Sequence, residues 1–165
     1  MGETLIERLK RRVRAEPSID MHDISDILPH PPVSAAELFA AEGQLGFELP
    51  LLVREMYTQV ADGGYGPGYG LDRLAELVDC GREFANDGTA GPWPARFLHL
   101  CWWGCDYFSG LDCSSPSGLV LRFVPDDWTT EALVPEAESL EEWLDAWLRG
   151  EWLWDRVQGE SPSIE

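Results

Sequence analysis

The sequence predicts an α+β fold in one domain: a helix-pair start, three or more antiparallel strands and a closing helix, with a helical arm at the N-terminus. Three observations carry this prediction. A length of 165 residues fits one domain. Apolar residues are 44% and aromatics 11%, enough for a core despite a formal net charge of −18. Helical periodicity opens and closes the body, and strand-like runs lie between.

The elements follow in order. Leu5, Ile6, Leu9 and Val13 recur at helical spacing, which predicts a short amphipathic helix over 3–15. Residues 16–33 hold four prolines and read as a linker with one turn around Ile24–Leu28. The body is expected from Ser34, where Ser34-Ala-Ala-Glu37 forms a capping box. That helix closes at Leu45-Gly46-Phe47. Leu49-Pro50 opens a second, with Leu52, Val53, Met56, Tyr57 and Val60 on its buried face. The glycine-rich stretch 63–70 reads as a turn whose glycines supply positive φ. Leu71, Leu74, Leu77 and Val78 predict another short helix, and 86–94 a loop. Strands are expected at Phe97–Trp103, Asp106–Cys113 and Gly118–Val124, with Ser114–Ser117 as a turn. A second capping box, Ser139 with Glu142, opens a closing helix whose core stripe includes Trp143 and Trp147. The domain plan is therefore an arm at 1–33, a body at 34–158 and a fraying tail at 159–165.

Charge excludes several functions. Thirty acidic residues face twelve basic ones, a field that repels nucleic acid and anionic lipid. The division is uneven: residues 1–14 carry five basic and two acidic residues, and the rest is strongly acidic. A basic protein partner is expected, with no nucleic acid and no membrane. The cationic helix is expected to dock on the acidic body of its own chain or of a neighbour, the latter giving a homo-oligomer. No run approaches the ~18 apolar residues of a membrane span. The N-terminus lacks an apolar signal core, so a cytoplasmic protein with reduced thiols is expected.

Catalytic signals are weak. His22 and His30 lie in the linker, and His99 sits in the most apolar strand as a buried imidazole. A metal set of His99, Cys101, Cys105 and Cys113 puts His99 and Cys101 on one strand face, but lacks paired zinc-ligand spacing. Cys101 and Cys105 have only Arg96 nearby to lower a thiol pKa. The glycine stretch lacks the Lys and Ser/Thr of a phosphate loop, and its neighbours Asp62 and Asp72 have the wrong sign. An acid pair such as Asp106 with Asp112 is always available among thirty acidic residues. No enzyme, metal or cofactor is expected.

Trp102 and Trp103 are strand neighbours and face opposite sides, so one of them is a candidate partner anchor. Charge and aromatic interleaving add Asp106, Tyr107, Asp112, Asp126, Asp127 and Trp128 as candidate partner-binding residues.

A resemblance sharpens this reading. The first helix with Leu45-Gly46-Phe47, then Leu49-Pro50, Met56-Tyr57 and Asp62-Gly63-Gly64, resembles the opening of the SUKH superfamily. Trp103-Gly-Cys-Asp-Tyr-Phe-Ser-Gly-Leu-Asp112 and Gly118-Leu-Val-Leu resemble its central strands. The likeness spans 34–148 and omits the arm and the Trp152–Trp154 tail. It implies an α+β fold with a curved, mainly antiparallel sheet and helices packed around it, and a non-catalytic protein-binding role, as in bacterial immunity proteins that block a cognate toxin. A regulatory or scaffold module with a non-toxin intracellular partner fits the same resemblance. Gene neighbourhood separates the two.

Overall fold

The computed structural model describes residues 2–86, 93–125 and 132–158. Helix α1 (Leu5–Val13) is followed by a 3₁₀ turn (His22–Ile24), α2 (Ala35–Leu45) and α3 (Leu51–Glu55), which continues as a π-turn over Met56–Val60. Then come α4 (Leu74–Asn86), β1 (Phe97–Gly104), β2 (Tyr107–Asp112), β3 (Leu119–Phe123), β4 (Leu133–Ala137), α5 (Leu140–Leu148) and α6 (Asp155–Gln158). The strands form an open antiparallel meander in the order β1-β2-β3-β4. The α+β fold is thus the one expected.

Local signals explain the helix starts. The Ser34 hydroxyl accepts from the Glu37 amide, and the Glu37 carboxylate accepts from the Ser34 amide. Thr4 and Glu7 make the same reciprocal pair at α1. At α5 only half of the expected box forms. Ser139 accepts from the Glu142 amide, but the Glu142 carboxylate takes Arg156 at 2.6 and 2.7 Å instead. A bidentate charged partner outcompetes the backbone amide. β4 had no clear strand pattern, because Pro135 and Glu136 interrupt it. An edge strand tolerates that proline, which has no N–H to pair.

The sheet separates two cores. One face carries Leu98, Leu100, Cys101, Trp103, Leu111 and Val120 against the helices. The other carries Phe97, Phe108, Leu121 and Phe123, packed with Phe84 and Trp93. Alternation alone would place His99 and Cys101 on one face. A β-bulge between His99 and Cys101 overturns this. Cys101 joins the helix-side core, whereas His99 stacks with Trp102 and Phe108 on the aromatic side at 4.4 and 4.6 Å. One inserted residue reverses every later side chain of the strand.

The glycine-rich loop covers the free edge of β1. The Tyr69 and Asp72 amides donate to the Trp102 and Leu100 carbonyls, and Leu71 bridges Cys101. Such cover protects an edge strand from pairing with another chain. Gly64 shows why glycine is needed. Its φ is +76°, and a Cβ there would lie 2.2 Å from the Leu28 carbonyl oxygen. Gly64→Ala is therefore expected to cost more than about 1 kcal/mol, measured by chemical denaturation. A change below a few tenths would show that the loop adapts.

The arm packs on its own chain. Leu9 is fully buried in the helix-side core with Ile6. Arg8 donates to Asp145 at 2.6 Å, and the Arg12 guanidinium lies 4.8 Å from the Trp147 ring centroid. Ile19 is buried and bridges Gly66. Asp20 accepts from the Trp147 indole N–H at 3.1 Å and from the Gly68 amide at 3.3 Å. Burial pushes the Asp20 carboxyl up, and these two donors pull it partly back.

Candidate functional site

The partner-binding candidates separate in space. Trp102 is 44% exposed on the aromatic side of β1, while Trp103 is 6% exposed on the helix side. Trp103 is therefore a core residue in this structure. Asp106 lies exposed in the β1–β2 turn with φ +66°. Tyr107 is half-buried, its ring edge-on to Trp154 at 5.1 Å. Asp112 sits at the far end of β2, about 17 Å along the strand. There it accepts from the Ser114 amide at 3.0 Å and so shapes the following turn. The hairpin thus brings Trp102, Asp106 and Tyr107 to one end and leaves Asp112 at the other. Asp126, Asp127 and Trp128 lie outside the described residues.

Beside Trp102 a cavity of about 510 Å³ opens between α4 and the sheet. Its walls are Cys80, Glu83, Phe84 and Asn86 from α4, then Trp93, His99, Trp102 and Phe108. His99 Nδ1 lies 2.5 Å from the Asp72 carboxylate, and both residues are buried. Nε2 of His99 is buried with no hydrogen-bond partner among the described residues. Burial pushes the Asp72 carboxyl up, and the hydrogen bond and charge of His99 oppose this. The Cys80 thiol is pushed up to about 11, first by burial and then by Asp72, Glu83, Glu76 and Asp79. That thiol is therefore protonated and non-nucleophilic at neutral pH.

Helix pair, glycine loop, meander and closing helix follow one another in the order the sequence motifs implied. Residues 32–146 match the SMI1 / KNR4 family (SUKH-1). The chain belongs to this family. No curated protein matches it. Membership agrees with an immunity or interaction module, and no helix among the described residues is long and apolar enough to cross a membrane.

The SUKH match ends at Ala146, yet the tail beyond it completes the core. Arg122 of β3 is 1% exposed and pairs with the buried Glu136 of β4. Its guanidinium packs against both Trp103 and Trp154, 4.5 and 4.9 Å from two ring centroids that are themselves 5.7 Å apart. Arg122 Nη2 also donates to the Leu153 carbonyl at 3.1 Å. The Trp103 indole N–H donates to the Ser109 hydroxyl, which donates to Glu136 at 2.7 Å. Arg156 then clamps Glu142, Glu151 and the Glu136 carbonyl. The tail thus supplies partners to the Arg122 guanidinium and to the Glu136 carbonyl.

Sequence reasoning missed two sets of residues. The Arg122–Glu136 pair carries no local signal beyond an Arg in an apolar run. Asp72 and Cys80 were read only as a charge beside a loop and a buried thiol. The metal set that was considered and set aside is not assembled, because Cys101 is on the other face from His99 and Cys105 is exposed in the turn.

Proposed function

We propose that this SUKH-1 chain is a non-catalytic immunity protein that acts in the cytoplasm, binding and neutralising a basic, nuclease-type toxin domain. The observation that carries the reading is Trp102. It leaves a large aromatic face open to solvent on a wall shared with the acidic Glu83. An exposed aromatic beside fixed anions fits an arginine- or lysine-rich surface. Asp106 at the same hairpin end extends that surface, and Tyr107, which faces the helix side, is carried with Asp126, Asp127 and Trp128 as a further contact candidate.

The charge arrangement supports the same partner. Of the arm's five cations, Arg8 is paired with Asp145, Arg11 with Glu3, and Arg12 is stacked on Trp147. The five arm cations still leave the whole chain at a net charge of −18. A toxin that binds nucleic acid is basic because its substrate is anionic, so an acidic inhibitor steers to that surface and competes there.

The test is a binding assay with the toxin domain encoded beside the gene. A tight complex is expected, with an association rate that falls as salt rises. Trp102→Ala should weaken it by about 2 kcal/mol, roughly 30-fold, as for an interface hot spot. A salt-independent association rate, or no complex at all, would remove the reading and favour a regulatory module.

A further inference from the structure

The cavity beside α4 joins three donor types that the binding role leaves unused. Asp72 follows the glycine-rich loop, Cys80 lies on α4 and His99 lies on β1. One ligand atom from each falls within 4.8 Å of the others. None of the three is freely exposed: Asp72 and His99 are buried and Cys80 is half-buried. This distinguishes the group from the many exposed acidic residues that could meet by chance.

We propose that Asp72, Cys80 and His99 form a binding site for a zinc-class divalent cation. The Cys80 thiolate and the His99 imidazole are the direct donors, and the Asp72 carboxylate orients the imidazole.

Three observations carry this. First, His99 is 1% exposed, yet its Nε2 has no partner among the described residues. A buried polar nitrogen is costly unless something fills the position. Second, the Asp72 contact explains which nitrogen is bare. When Nδ1–H donates to the carboxylate, the lone pair sits on Nε2, the arrangement found in carboxylate–histidine–metal triads. Third, Cys80 and His99 line the same cavity, with Glu83 on its wall one helical turn from Cys80. The cavity supplies space for an ion.

The donor chemistry selects the metal. One sulfur, one imidazole nitrogen and carboxylate oxygens suit zinc and cobalt, whereas magnesium and calcium want oxygen alone. Binding breaks the S–H bond of Cys80 and releases one proton to solvent per metal ion. The charges then balance: a dication against one thiolate and one carboxylate.

The test is a titration of the full-length, metal-free protein with Co²⁺ alone, followed by absorbance. One equivalent should bind, with a thiolate-to-cobalt charge-transfer band that Zn²⁺ abolishes. Cys80→Ser should lose the band. Cys105→Ser, which changes an exposed thiol outside the cavity, should keep it. Asp72→Asn should weaken binding by about 10–100-fold while far-UV circular dichroism stays native, as for other residues that orient a ligand. Absence of a band in the unaltered protein overturns the proposal, as does a band that survives Cys80→Ser. Neither result depends on the toxin, so failure here would leave the binding function standing.

Discussion

Arg122→Ala is expected to cost about 3–5 kcal/mol of folding stability, the usual loss when one partner of a buried ion pair is removed. The substitution leaves the buried Glu136 carboxylate of β4 with only the Ser109 hydroxyl among the described residues. It also removes the cation packed against Trp103 and Trp154 and frees the Leu153 carbonyl. The tail should therefore loosen along with the sheet. Urea denaturation gives the energy, and limited proteolysis after Arg149 or Arg156 reports the tail. The double variant Arg122→Met, Glu136→Leu isolates the cause. It removes both charges together and should recover most of the loss, because an apolar pair of similar volume does not strand an ion. A loss below about 1 kcal/mol for Arg122→Ala would mean that water reaches the pair and that the tail is no lid.

Leu9→Ala is expected to cost about 2–5 kcal/mol, the range for truncating a fully buried leucine. That is a large effect for a residue outside the matched family segment. Leu9 has no exposed surface and packs with Ile6 into the helix-side core. Lys10→Ala, on the same helix, should change stability by less than about 0.5 kcal/mol. An unchanged denaturation midpoint for Leu9→Ala would show that the arm is not part of the core in solution. The same measurement addresses exchange of the arm between copies, the route to a homo-oligomer proposed from the charge division. An arm docked in its own chain gives a midpoint independent of protein concentration. An exchanged arm gives one that rises with concentration.

Local signals were the most legible. The Ser34 and Thr4 caps act within four residues, and leucines at 3–4 spacing report a buried helix face wherever they occur. Trp143 and Trp147 lie on the stripe of Leu140 and Leu144 and are buried as that stripe requires. The opening helix pair and the glycine loop carried the family likeness because each motif is continuous in the chain. Trp102 and Trp103 had to face opposite ways, but alternation does not say which one meets solvent.

Charge sign, helix stripes, strand runs and family membership were determined by the sequence alone, since each depends on neighbours close along the chain. The tertiary structure decided the rest. It placed a bulge that parts His99 from Cys101, a contact from Trp154 back to Arg122, and a docked arm. It also brought Asp72 within 2.5 Å of His99, 27 residues away. These depend on which distant segments share one volume. A buried charge or a bare nitrogen has no sequence signature, because its energy is set by what surrounds it after folding.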